Sequence, residues 1–351
     1  MPKIAFVDTY YPEALASWHL TTSSYETRLK EIMARLFGTS DYYSNAFRAY
    51  GWDAIDIVAN DVVGVDLWRN EHACSLRGCV SVVLEMLQRF QPDVVYCQNL
   101  TFFTPQQLRS IPAKVFTGQI SSAWPGDDYI KAFDLLFTSF PFYPARFEAL
   151  GVRGRFLQIA FGGDEVLKSL QYRPAQRDID VAFVGGVGPI WRQGTATLSY
   201  LAQQVPTFRW GGYGLEYIPK GALREAYVGP VWGIDMYKMY ARAKIVVNRH
   251  GEVFQGFSNN MRLFEATGCG ALLITEATPN LSEYFAPGEE CATYTTPEEL
   301  VAKVTFYLSH PELLDCVAVC GRAHTLDSHV YIHVLKFAEA EIRKLLEEKS
   351  R

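Results

Sequence analysis

Short apolar runs closed by turn residues recur along this 351-residue chain, and their spacing constrains the fold more than any other feature. The first series is KIAFVD (3–8), AIDIVA (54–59), DVVYCQ (93–98), KVFTGQ (114–119), DLLFTS (134–139) and RFLQIA (155–160). Between several of them lie longer stretches of helical periodicity, such as ETRLKEIMARLFG (26–38) and CSLRGCVSVVLEMLQRF (74–90). Neighbouring strands that run in the same direction need a long crossover, usually a helix, so this alternation predicts a parallel α/β unit. The segment GGDEVLKSLQYRPAQRDID (162–180) then loses hydrophobicity and gains proline and charge, which marks a domain boundary. A second series follows, DVAFVGG (180–186), FRWGG (208–212), KIVVN (244–248), ALLITE (271–276) and CATY (291–294), with helical patterns at 192–204, 235–242, 258–267, 297–308 and 311–324. The expectation is two α/β domains, residues 1–165 and 166–328. A last helix over 329–351 carries Val330, Val334, Phe337, Ile342 and Leu345 at helical spacing, and a crossing back to the first domain is one way to bury that face.

Composition narrows the function. With a formal net charge of -5 the chain lacks the basic excess that tracks a polyanion, so nucleic acid is not an expected partner, while a local pocket for one small phosphate stays open. The seven cysteines (Cys74, Cys79, Cys97, Cys269, Cys291, Cys316, Cys320) are scattered and show no paired zinc-knuckle spacing, so they are expected as free thiols and no metal is assigned. Neither a secretory leader pattern nor an apolar stretch of membrane-spanning length is present, and the expectation is a cytoplasmic protein without a transmembrane segment.

Ligands of open parallel sheets bind beyond the carboxyl ends of strands, so residues just after strands are the candidates. Gly185, Gly186 and Gly188 follow one strand and precede a helix containing Arg192, a place where bare amides and a helix N-terminus suit a phosphate. The spacing is not the dinucleotide fingerprint, which disfavours a dehydrogenase. Glu265 is less ordinary. On a helix starting near Ser258, residues Asn259, Arg262 and Ala266 share a face and Glu265 falls near the helix end, where the dipole disfavours a carboxylate. That cost points to a ligand, and an acceptor-only carboxylate suits a ribose diol; an intrahelical pair with Arg262 is the alternative. Trp210, Tyr213 and Trp232 lie in glycine-rich sequence where rings stack on bases or sugars or else pack in the core. His250, after KIVVN, reaches phosphates or closes a turn, and His329 and His333 are assigned to helix surface or core.

At Asn260, Arg262, Phe264, Glu265, Ala266, Cys269 and Gly270, and in the APGEE turn and TTPEEL helix start, the run from Val246 to Leu300 resembles the C-terminal half of group 1 glycosyltransferases. The branch it looks like is that of the spore-maturation-type proteins, with an N-x-R-x-F-E-A…C-G signature. The resemblance is looser over 124–151. It implies the GT-B fold, two Rossmann-like domains facing across a cleft, with a nucleotide-sugar donor bound by the second and a hydroxyl acceptor by the first. It implies a hexosyltransferase-like enzyme needing no cofactor and no metal, in which Glu265 holds the donor ribose while Arg262 and the Gly185–Gly186 turn meet the diphosphate. The E-x7-E pattern of better-known relatives is broken, because its first glutamate falls at Phe257. Asn260 and Glu252 are the nearby polar residues, both out of register, and inversion or retention is left open. Proton removal from the acceptor falls to Asp8, His19, Asp127 or Asp128, or to the leaving phosphate, and Asp127 and Asp128 double as helix-cap candidates. The alternatives are a sugar-nucleotide epimerase of the same fold and a non-catalytic nucleotide-sugar-binding or surface-assembly protein.

Overall fold

The computed structural model describes residues 1–171, 177–251, 255–258 and 260–351, so Glu252 and Asn259 lie outside the described residues. The chain divides into two compact units, Met1–Gln158 with Tyr331–Arg351, and Ile159–Val330.

The first unit is built on a six-stranded parallel sheet, β1 (Lys3–Asp8), β2 (Asp53–Val58), β3 (Val94–Cys97), β4 (Val115–Gln119), β5 (Leu135–Thr138) and β6 (Arg153–Phe156), in the order β2-β1-β3-β4-β5-β6. Strands covered on both faces read as continuous apolar runs, which is why five of the six were visible in the sequence. The sixth lies earlier than expected. RGRF at 153–156 pairs with β5, and the more apolar residues after it have left the strand. The helix Tyr42–Ala49, which short aromatic and small residues hide from a periodicity scan, lays Tyr43 and Phe47 edge-on against Phe6 of β1, at 5.9 and 5.2 Å between ring centroids.

The final helix, Tyr331–Ser350, is part of this first unit. Tyr331 stacks on Tyr42 at 5.4 Å and Trp52 Nε1 donates to Glu339 Oε1 at 2.7 Å. Its buried stripe is Tyr331, Leu335, Ala338, Ile342 and Leu345, a three-four spacing, while Phe337 is 47% exposed. The expected stripe through Val334 and Phe337 was therefore rotated by about one residue from the face that packs.

The second unit carries a five-stranded parallel sheet, β7 (Ile179–Val184), β8 (Phe208–Gly211), β9 (Ala243–Asn248), β10 (Leu272–Glu276) and β11 (Ala292–Tyr294), in the order β11-β10-β9-β7-β8. Strand order reverses between β1 and β3 in the first sheet and between β7 and β9 in the second. Within each sheet the crossovers leave that point in opposite directions, and the gap between the two strands at their carboxyl ends is where an open parallel sheet receives its ligand. No helix among the described residues is long and apolar enough to cross a membrane.

Candidate functional site

At the switch point of the second sheet, β9 ends in a buried asparagine where its apolar run would suggest another aliphatic residue. Asn248 Nδ2 donates to Thr275 Oγ1 of β10 at 2.9 Å, and its Oδ1 accepts from Asn260 Nδ2 at 2.9 Å and Arg262 Nη1 at 2.7 Å. Arg262 Nε donates to the Val184 carbonyl at the end of β7 at 2.8 Å, and the guanidinium lies 4.6 Å over the Phe183 ring. One side chain thus spans the carboxyl ends of both strands that flank the gap. A Cβ on Gly185 would sit 2.6 Å from Arg262 Nη2, and one on Gly186 would sit 2.5 Å from the Tyr213 ring, so only glycine lets this turn close over the arginine and under the tyrosine.

A second guanidinium enters from the residue after Asn248, and nothing in the sequence pattern singled it out. Arg249 is 6% exposed, packed between the rings of Phe183 and Trp191, and its Nη2 donates to the Gly186 carbonyl. A Cβ on Gly194, in the first turn of the Arg192–Gln204 helix, would collide with Arg249, so that helix N-terminus rests directly on the cation. Arg249 Nε is buried and has no hydrogen-bond partner among the described residues. Burial, and then the charge of Arg262, lower its pKa to about 10, which leaves it cationic at neutral pH. Neither Arg249 nor Arg262 has an ion-pair partner among the described residues. Two guanidiniums, a glycine turn and a helix N-terminus make a concentration of positive charge that a buried site keeps only at a cost of several kcal/mol unless an anion joins it, of order 3–5 kcal/mol where one partner is missing.

The other expected residues fall around this point in different ways. Asn260 locks the loop, donating to Asn248 Oδ1 and to the Arg249 carbonyl, both at 2.9 Å. Because its amide is spent there, the helix begins later than expected, at Arg262, and runs to Gly268. This corrects the electrostatic reading of Glu265. It lies in the first helical turn, where the dipole favours a carboxylate, and it is packed inward at 5% exposure instead of lying beside a polar face. Its one hydrogen bond among the described residues is a long one, from the Tyr237 hydroxyl to Oε1 at 3.5 Å. Burial raises its pKa to about 7 against the opposing pull of Arg262 and Tyr237. His250 Nε2 lies 3.2 Å from the hydroxyls of Ser258 and Thr275, and burial and Arg262 hold the ring neutral with its pKa down at about 3. Tyr213 is 41% exposed and stacks on Trp232, 5.8 Å apart and within 10° of parallel. Arg192 is exposed at the helix start. Trp210 leaves the set: it is fully buried, with Nε1 donating to the Leu223 carbonyl at 2.6 Å, so it is a core residue.

In the first unit, Asp8 closes β1 at the switch point beside β3. It accepts from the Thr9 amide at 2.7 Å and the Thr39 hydroxyl at 3.3 Å, and burial raises its pKa to about 7. Asp127 and Asp128 open the short helix Asp127–Ile130, which Gly126 caps, so neither is the cap the sequence suggested. Asp127 accepts from Trp124 Nε1 at 2.9 Å and both are exposed to solvent. His19 is exposed, in a left-handed turn with φ 48°.

Residues 175–340, which take in most of the second unit, match the family described as glycosyl transferase-like. No curated protein sequence matches the chain. Among solved structures, sucrose-phosphate synthase from Thermosynechococcus elongatus is similar at 13% identity over 99% of this chain and 100% of that one, with a TM-score of 0.57. HepE from Anabaena, in complex with UDP-glucose, is similar at 13% identity over 98% and 100%, TM-score 0.61. AviGT4, a glycosyltransferase involved in avilamycin A biosynthesis, is similar at 14% identity over 99% of each chain, TM-score 0.59. These likenesses show that the chain has the GT-B fold.

Proposed function

We propose that this protein transfers a sugar, hexose-like in size, from a nucleotide-sugar donor to a hydroxyl acceptor without a metal ion, and that it sits in the spore-maturation-type branch. The observation that carries this reading is the pair of arginines at the second sheet's switch point, Arg249 buried and Arg262 half-buried, neither with an ion-pair partner among the described residues. A diphosphate would take the place of the missing counter-charge, with Arg249 and Arg262 donating to its oxygens and the Gly185–Gly186 turn allowing close approach. As the glycosidic bond breaks, charge accumulates on the leaving nucleoside diphosphate, and two fixed guanidiniums supply the stabilisation that a divalent cation gives elsewhere. Glu265 would hold the ribose diol, and the Tyr213–Trp232 pair offers its exposed ring to the base. Asp8 would take the acceptor proton, because a carboxylate that titrates near 7 is a stronger base than an ordinary one and is still ionised at working pH. HepE was solved with UDP-glucose, which makes uridine nucleotides the first donors to test.

Calorimetry with a panel of nucleoside diphosphates is expected to find one that binds at about 1 μM to 1 mM, with slow release of that diphosphate from the matching nucleotide sugar. Silence across the panel would end the reading. Tyr213→Ala is expected to weaken binding of the preferred diphosphate by about 1–3 kcal/mol while leaving affinity for inorganic pyrophosphate unchanged, since pyrophosphate has no ring to stack.

Glu265→Gln separates the ligand role from a structural one. In the folded protein Glu265 titrates at about 7 instead of 4.5, so the folded state holds more protons than the unfolded state between those values. Stability from this group is full below pH 4.5, falls as pH rises towards 7, and is flat above. Gln keeps the acceptor for Tyr237 and removes the charge, so at pH 8 the variant is expected to be more stable by about 3 kcal/mol. Nucleoside diphosphate should bind it about tenfold more weakly, because a charged acceptor for the ribose diol is lost. A stabilised variant with unchanged nucleotide affinity would assign Glu265 to packing alone.

A further inference from the structure

A second carboxylate shares the sheet face that carries Asp8. On β2, Asp56 lies directly beside Phe6 of β1, and Phe6 and Asp8 point to the same side because they are two residues apart on a strand. Both carboxylates therefore face the layer covered by the Tyr42–Ala49 helix, on adjacent strands and one pleat apart, and with Thr39, Ser40 and Tyr43 they line one small cavity. Asp56 is held there by that helix. The Ser44 hydroxyl donates to Asp56 Oδ2 at 2.5 Å, and Arg48 Nη2 reaches the same oxygen at 3.3 Å while also donating to the Ala54 carbonyl.

The two acids are unequally compensated. The Asp56 side chain is 9% exposed, but its partner Arg48 is 44% exposed and solvent screens much of its charge. Asp8 has no ion-pair partner among the described residues; the groups around it are the Thr9 amide and Thr39 hydroxyl, the Tyr10 ring that follows β1, Tyr43 from the helix, Asp41 and Ser40 from the preceding loop, and Asp56 from β2. Carboxylates outnumber cations on this face, so each resists ionisation of the other.

We infer that Asp56 is a positioning residue that raises the proton affinity of Asp8 beyond what burial alone gives, and thereby shifts the pH at which Asp8 can accept the proton of the acceptor hydroxyl. The second clause rests on the assignment of Asp8 as the base; the first does not. The raised pKa of Asp8 agrees with this arrangement: burial is its main cause, the Thr9 and Thr39 hydrogen bonds oppose it, and the Asp56 charge adds to it in smaller measure. Nature of the neighbour is what matters: a neutral side chain of the same shape would keep the Ser44 contact and remove the repulsion.

The experiment is a pH titration of the full chain labelled with ¹³C at the aspartate side-chain carboxyl carbons, with the Asp8 signal assigned from Asp8→Asn. Asp56→Asn is expected to lower the Asp8 pKa by about one unit, and Asp56→Glu, which keeps the charge, should return it to within a few tenths of the starting value. Asp56→Ser, which likewise removes the charge, carries the test if Asp56→Asn does not fold; Arg48→Gln, a half-exposed change, removes a nearby cation and is not expected to lower the Asp8 pKa. An Asp8 titration that stays put in Asp56→Asn, or moves as far in Asp56→Glu, or falls in Arg48→Gln, overturns the coupling. The acid limb of the kcat/KM profile is the second readout. It should follow the carboxyl signal in each variant; if the signal moves and the limb does not, the coupling holds and the base is another group.

Discussion

Replacing Arg249 with methionine should lower kcat/KM for the nucleotide sugar by about 10²–10³-fold without lowering thermal stability. The expected combination is unusual, because a buried arginine ordinarily cannot be removed for free. Here the guanidinium is 6% exposed, its Nε has no hydrogen-bond partner among the described residues, and no carboxylate pairs with it. Its one side-chain hydrogen bond among the described residues is to the Gly186 carbonyl, and losing that costs about 1.5–3 kcal/mol. Against this, exchanging a buried charge that no ion pair among the described residues holds, and that only the Glu276 carboxylate partly offsets, for a flexible apolar side chain between Phe183 and Trp191 relieves a desolvation penalty and keeps the volume filled. Replacement of buried ionic groups by hydrophobes of similar size is often neutral or stabilising by about 1–4 kcal/mol, so the balance favours an equal or higher melting temperature. Affinity for the diphosphate should fall by about 10–100-fold, the worth of one or two charge-assisted hydrogen bonds, and the larger loss in kcat/KM reflects charge that is present only as the donor bond breaks. Arg262 does not give so clean a test. It ties Val184 to Asn248, and its removal would take the guanidinium donor from both acceptors, leaving Asn248 Oδ1 with Asn260 alone. Should Arg249→Met melt early and bind nucleotide as before, the cation is part of the scaffold and the proposed donor site is misplaced.

The parallel sheets were legible because their strands are buried on both faces and announce themselves as unbroken apolar runs, from KIAFVD to ALLITE. What surrounds the switch point of the second sheet was legible only in part. Gly185 and Gly186 stand out in any strand-to-helix turn, and Arg262 stands out in an apolar helix. Arg249 does not, because a charged residue after a strand is ordinary and only the three-dimensional neighbours show that this one is enclosed. The same limit explains the helix start. Ser258, Asn259 and Asn260 look like caps, yet Asn260 directs its amide to Asn248 and the Arg249 carbonyl, a partner twelve residues away that no local rule anticipates. Moving that start by about one turn turned the dipole around Glu265 from unfavourable to favourable, so the sequence argument for a ligand rested on a cost that the folded chain does not incur there. The cost it does incur is burial with a single long hydrogen bond. Trp210 shows the reverse error: glycine-rich flanks suggested a loop, but the residue lies on an edge strand whose second side is covered by 226–228, and its ring fills the core beneath.

Asp8→Asn should reduce kcat/KM by about 10²–10⁴-fold, the usual worth of a positioned general base, and should flatten its pH dependence. Four groups in the first unit were candidates for this work, and their settings differ. His19 is exposed in a left-handed turn, and Asp128 faces solvent on a four-residue helix. Asp127 is already engaged by the Trp124 indole and lies 3.9 Å from Arg146 on an exposed surface. Asp8 alone sits at the carboxyl end of a central strand at the point where strand order reverses, and burial has raised its pKa to about 7. A base must be ionised to act, so wild-type kcat/KM should rise about tenfold per pH unit up to about pH 7 and level off above it. Burial works here in two directions: it leaves part of the protein protonated at neutral pH, and it makes the ionised fraction a better proton acceptor than an exposed carboxylate titrating near 4. Asparagine keeps the shape, with Oδ1 accepting from the Thr9 amide and Nδ2 able to donate to the Thr39 hydroxyl oxygen, so the fold should survive. Its removal of an acid that resists ionisation also makes the variant at least as stable as the parent above pH 7, which distinguishes loss of the base from loss of structure. A variant that retains both full activity and the acid limb would pass the proton to the leaving diphosphate itself, and the phosphate oxygens beside Arg249 and Arg262 would then be the base.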